Sequence, residues 1–170
     1  MEPKNKSKIK TCKNLRFLTE VLSELKLTPE SYGEYTSNPH SEAVQLRQNL
    51  TRDDMKVTRA YTILKNLGYN LEIKLTKKEE EIKNYTLSFT RKEDNTESKS
   101  TELKNKNIAF LEEFMIKNNI GKTELARDIQ VSPGAVFNWF KNDNISISYL
   151  YKIKEAYNIE LEYIITPLEK

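Results

Sequence analysis

The sequence predicts a mainly α-helical protein: two small units of four or five helices each, joined by a β-hairpin and a flexible linker. Three observations carry this expectation. Residues 122–141 hold two short amphipathic helices with a tight turn between them. The pattern around them recurs, diluted, 93 residues earlier. Residues 71–76 and 85–90 alternate apolar and polar side chains.

Taken in order, the second unit opens with a helix over 107–119 (NIAFLEEFMIKNN) that turns Phe110, Leu111, Phe114 and Met115 inward. A short helix follows over 122–129, with Leu125, Ala126 and Ile129 on one face by three- and four-residue spacing. Gln130 and Val131 make the turn, and Val131 is placed to plug the wedge beneath it. Ser132 then offers a capping oxygen and Pro133 suits the first helical position. That helix runs to about Lys141 and buries a stripe of Val136 and Trp139 with Phe140. A last helix over 146–157 contributes Ile147, Leu150, Ile153 and Tyr157. Two helices joined by so short a turn cross steeply, with little room between backbones. A small side chain is needed at the crossing, and Ala126 supplies it.

This is helix-turn-helix geometry. Burying Val136 and Trp139 turns Ser132, Gly134, Phe137, Asn138 and Lys141 outward, a row suited to a DNA major groove. The residues Glu124-Leu125-Ala126, Val131-Ser132, Val136 and Trp139 resemble the phage-repressor/Cro-like, or XRE-type, helix-turn-helix proteins over about residues 108–160. The resemblance implies a sequence-specific DNA-binding regulator, a repressor of bacterial or phage type acting in the cytoplasm at the nucleoid. It also implies phosphate contacts from the start of the first motif helix, here Lys122 and Thr123. Two departures stand out. That family usually has Gly in the turn, where this chain has Gln130, and favours Gln where this chain has Lys122.

The first half reads as a degenerate copy. At a shift of 93, Phe17 meets Phe110, Leu18 meets Leu111, Gly33 meets Ala126, Ala43 meets Val136 and Leu46 meets Trp139. Three extra residues near 49–51 change the shift to 90, where Met55 meets Ile145, Val57 meets Ile147 and Ile63 meets Ile153. YNLEI at 69–73 mirrors YNIEL at 157–161 at a spacing of 88. Around 37–41 the copy diverges: Asn38 stands in place of Val131, and Asn-Pro-His replaces the Ser-Pro cap. The outward row of this half is Val44, Gln45 and Gln48, with Arg52 at its end. Gln45 falls opposite Asn138 and Val44 opposite Phe137, so each copy presents an apolar–amide pair suited to an A·T step.

Boundaries follow: a basic arm over 1–13, the first unit over 14–70, a hairpin over 71–91, a linker over 92–106, the second unit over 107–164 and a tail over 165–170. Lys4, Lys6, Lys8 and Lys10 make the arm a candidate for lying along phosphates. In the hairpin Leu71, Ile73 and Leu75 share one face, as do Tyr85, Leu87 and Phe89; this apolar face needs a partner, and pairing with a second subunit in a homodimer is expected ahead of packing within the chain. The segment IELEYII at 159–165 reads as one more short strand. Residues 92–106 lack apolar patterning, and a coil of that length spans about 20 Å.

Composition bounds the rest. Of 170 residues, 31% are charged and 37% hydrophobic, which suits a polar folded protein. No apolar run nears the roughly 20 residues that span a bilayer, and no secretory signal is expected. Cys12 is the single cysteine, which excludes an internal disulfide. One His, four Gly and the absence of a GxxxxGK[ST] loop leave no catalytic site, metal or cofactor to expect. Net charge is +3 overall, but residues 107–170 carry 7 basic and 9 acidic groups. That negative balance keeps an alternative open, a protein-interaction module such as the antitoxin half of a toxin–antitoxin pair.

Overall fold

The computed structural model describes residues 12–78 and 106–169. Helices α1 (Arg16–Glu24), α2 (Pro29–Gly33), α3 (Pro39–Arg52) and α4 (Val57–Asn66) lead into strand β1 (Tyr69–Lys77). Helices α5 (Ala109–Lys117), α6 (Lys122–Asp128), α7 (Pro133–Lys141) and α8 (Ile147–Tyr157) lead into strand β2 (Ile159–Pro167). The order of four helices and a strand therefore occurs in each half. Among the described residues no helix is long and apolar enough to cross a membrane.

The helix ends follow from a few local signals. Ser132 Oγ accepts from the Ala135 amide at 3.2 Å and Pro133 opens α7, as the spacing predicts. Thr28 and Ser31 form a reciprocal capping box on α2. Several helices stop at a residue with left-handed backbone: Lys26, Asp53, Asn119, Gln130, Asp143 and Asn158 all have φ between 48° and 58°. At α6 the Val131 amide donates to Ala126 O at 2.9 Å and the Gln130 amide to Arg127 O at 3.2 Å, the paired bonds of a Schellman stop. Lys26 with Leu27 and Asn119 with Ile120 close α1 and α5 in the same way.

β1 and β2 pair antiparallel across the two halves, with Leu71 opposite Ile165, Ile73 opposite Tyr163 and Leu75 opposite Leu161. This corrects the expected use of residues 71–75. Leu71 and Ile73 are buried inside the chain itself, against α4 and α5, while Leu75 is half-buried, and the strand beside them is β2 rather than residues 85–90. The other expected hairpin strand, with Tyr85, Leu87 and Phe89, lies outside the described residues, as do Lys4, Lys6, Lys8 and Lys10. The strand predicted at 159–165 is present. The YNLEI–YNIEL spacing of 88 is also corrected: the strands begin at Tyr69 and Ile159, 90 residues apart. The helix-ending position of Asn158 (φ 48°) is matched by Gly68 (φ 84°), not by Asn70.

Contacts between the halves come in reciprocal pairs. The Val57 amide donates to Ile145 O (2.8 Å) and the Ile147 amide to Met55 O (2.9 Å). Asp54 accepts from the Ser148 amide and hydroxyl, both at 2.9 Å. Correspondingly, Asn144 accepts from the Thr58 amide at 3.3 Å and donates to the Thr58 hydroxyl at 2.7 Å. The Tyr61 hydroxyl donates to the carbonyl of Asn107 and the Tyr151 hydroxyl to that of Asn14, each at 3.2 Å. Within each half an aspartate ties the first helix down: Asp53 accepts from the Lys13, Asn14 and Leu15 amides, and Asp143 from those of Asn107 and Ile108. One continuous apolar core results, running from Leu15 and Leu18 through Ile63, Leu111 and Trp139 to Ile159.

Candidate nucleic-acid interface

The site is built on the α6–α7 pair. Ala126 is fully buried where the helices meet, flanked by buried Leu125 and Ile129. Val131 is half-buried and packs against the core, which places it as the plug of the turn. On α7, Val136 and Trp139 face inward, and the Trp139 ring packs tilted on Tyr149 with centroids 4.8 Å apart. Helical spacing then turns the opposite side out. Ser132, Gly134, Phe137, Asn138 and Lys141 are all exposed, and Phe137 keeps 51% of its surface in solvent. A large aromatic side chain left that open costs apolar hydration and is the most conspicuous feature of the row.

Lys122 is half-buried beside this row, with Nζ 4.6 Å from the Phe140 ring centroid and 5.5 Å from that of Phe137. The cation is thus held over aromatic faces at the mouth of the helix pair. Thr123 is exposed next to it. A shallow depression between α5 and α7 is lined by Glu112, Lys122, Phe137, Phe140, Lys141 and Asp143, which mixes both signs of charge. At the far side of α6, the Tyr157 hydroxyl donates to Asp128 at 2.7 Å. That bond holds the Asp128 carboxyl below its ordinary range, with Arg127 adding to the effect. Burial, then the carboxylate it bonds, pushes the Tyr157 phenol up.

The first half offers a parallel but different surface. Gly33 abuts the backbone of Pro39 so closely that an added Cβ would sit 2.5 Å from the Pro39 carbonyl oxygen. A residue without a side chain thus occupies the place of Ala126. On α3, Ala43 and Leu46 are buried, Val44 is half-buried, and Gln45, Gln48 and Arg52 are exposed. Gln45 bonds Ser41 at 3.3 Å along the helix. Asn38, in the place of Val131, is exposed and caps nothing with its side chain, so the wedge plug is missing here. α3 is 14 residues long against 9 for α7, and the left-handed stops that follow, Asp53 and Asp143, are 90 apart rather than 93, so the three extra residues lie within α3. The helical spacing singles out Gln45 and Gln48 but not Arg47, which is exposed next to Gln48 and paired with Glu30. Its position one residue from the amide stripe was the available signal.

Two short helices crossing at a small buried residue, the second with an exposed polar row, define a helix-turn-helix. Residues 111–164 match the family described as Helix-turn-helix, from the first turns of α5 into β2. No curated protein and no solved structure gives a significant match. The family match supports an XRE-type helix-turn-helix over this stretch, the domain of a DNA-binding transcription regulator.

Proposed function

We propose that the protein is a sequence-specific repressor of bacterial or phage type that inserts α7 into the major groove and blocks a promoter by occupancy. One observation carries the reading: α7 buries Val136 and Trp139 and leaves Ser132, Gly134, Phe137, Asn138 and Lys141 exposed along one side. Asn138 would bond an adenine edge and Phe137 would meet a thymine methyl. Lys122, Thr123 and Lys141 would touch phosphates, and the lysines of residues 1–10 would add non-specific attraction. Asn138→Ala is expected to weaken binding to the preferred duplex by about 1–3 kcal/mol, and to relax base preference at one position, in a gel-shift series. Unchanged affinity and preference in that variant would remove Asn138 from base reading.

We also infer that the first half is a diverged unit of the same kind. Gly33 at the crossing supports it, as does the reciprocal set of contacts between the halves. The acidic balance of residues 107–170 and the half-exposed Phe137 favour a second reading, a protein-binding module of antitoxin type. Salt separates the two. A DNA reader binds random duplex at low salt and loses it steeply as salt rises, whereas a protein module binds no duplex at either.

A further inference from the structure

We infer that one chain is a complete two-headed reader, built to bind a duplex carrying two unlike half-sites rather than a palindrome shared by two chains. This rests on the DNA-binding reading above and deepens it. Ile73 lies opposite Tyr163, and the ribbon extends equally on both sides, from Tyr69 opposite Pro167 to Lys77 opposite Ile159. Those partners stand at matching places of the two halves. A second crossing has the same property, where Lys56 bridges antiparallel to Ser146. The two crossings define an approximate two-fold axis through the molecule. The exchanged bonds of Val57 and Ile147, of Asp54 and Asn144, and of Tyr61 and Tyr151 are what such an axis requires.

A two-fold rotation preserves direction along its axis. Whatever component of the α7 outer row points along the axis, that of α3 points the same way. Both helices also run directly into the same crossing. α3 ends at Arg52, four residues before Lys56, and α7 ends at Lys141, five before Ser146. The C-terminal ends of both helices thus lie near one point of the axis, and we take their outer rows to face the same way there, as they do in a symmetric dimer that meets successive turns of a groove. Here the second copy is supplied by the same polypeptide, and the strands that would otherwise recruit a partner are satisfied within it.

The heads are not equivalent. At matching places α7 presents Phe137, Asn138 and Lys141 and α3 presents the half-buried Val44 with exposed Gln45 and Gln48, Arg52 being exposed beyond them. Different side chains at matching places read different bases, so the two half-sites should differ in sequence.

The test is selection of the full chain against random duplexes, followed by sedimentation of the selected complex. The expected result is one chain per duplex and two unlike half-sites whose centres lie about 10 base pairs apart. Gln45→Ala should erase preference in one half-site and Asn138→Ala in the other, each with a roughly ten- to hundredfold loss of affinity. Both side chains are exposed, so folding is not at stake. A palindromic consensus bound by two chains, with Asn138→Ala acting on both arms and Gln45→Ala on neither, would overturn the inference while leaving α7 as a reader. A single short half-site per chain would overturn it as well. Failure of the unaltered chain to bind any duplex at low salt would take the DNA-binding reading down with it.

Discussion

At Gly33 the space for a Cβ is taken by the Pro39 carbonyl oxygen, 2.5 Å away, and this contact is backbone that cannot rotate aside. Gly33→Ala must therefore push α2 and α3 apart, an overpacking that costs roughly 1–3 kcal/mol. The check is the urea midpoint, which should fall; an unchanged midpoint would show that the crossing has slack. The opposite change is expected at the helix stops. Gln130 (φ 58°) and Lys26 (φ 55°) hold a left-handed backbone without the local bonding that makes Asn and Asp tolerant of it. Gln130→Gly and Lys26→Gly should each stabilise by about 0.5–1 kcal/mol after the extra freedom of the unfolded chain is counted. Asn119→Gly should gain less, and a denaturant series on the three variants ranks them. The small residue and the Gln in the turn were legible in the sequence, because steric demands on one position are local. The partners of Asp54 and Asn144 were not: polar residues in a turn do not show in sequence what they will bond across the molecule.

Among the elements, α4 and α8 share an arrangement that no reading of either half alone would supply. Neither Lys56 nor Ser146 caps its own helix with a side chain. The missing acceptors come from the opposite half, with Asp54 serving α8 and Asn144 serving α4. Asp54→Ala leaves the Ser148 amide and hydroxyl without their acceptor, so a loss of about 1–2 kcal/mol is expected, as for a removed cap. In a double-mutant cycle with Ser148→Ala the two changes should couple by at least about 0.5 kcal/mol. Additive losses would mean that the contact does not hold the halves together. The helices were readable from their spacing, and α7 begins and ends where Ser132, Pro133 and Lys141 predict. The strand pairing was not. Alternation in residues 71–76 shows that one face is buried but not which strand lies alongside, and the partner sits some 90 residues away at β2. Proximity in sequence favoured residues 85–90, and the first half's strand went instead to the second half's.

For the whole molecule, a shared core and reciprocal bonding imply that the two halves unfold together. Tyrosines report on this. Tyr61 and Tyr151 each donate across the divide, and burial is the first cause of the raised phenol of both; for Tyr61 it is pushed up to about 12. Tyr163, stacked on Phe17 with ring centroids 4.1 Å apart, is raised by burial first and then by Tyr151. Tyr32 is raised for the same primary reason. Below about pH 10 these phenols are protonated in both folded and unfolded chains, so they add no pH dependence. Above it the unfolded chain releases protons that the folded chain still holds, and stability falls as pH rises through the folded values. The bonds lost on ionisation include those from Tyr61 on α4 to Asn107 and from Tyr151 on α8 to Asn14, each just ahead of the opposite half's first helix, so both halves are weakened at once. Alkaline titration should therefore show tyrosinate absorbance and loss of far-ultraviolet helix signal rising together in one transition above pH 10. Tyr61→Phe should lower stability slightly at neutral pH, through the lost bond to Asn107, yet flatten the decline above pH 10 because its proton no longer contributes. Two separate helix transitions, or full tyrosinate formation near pH 10 with the fold intact, would show that the halves are independent and their tyrosines open to water.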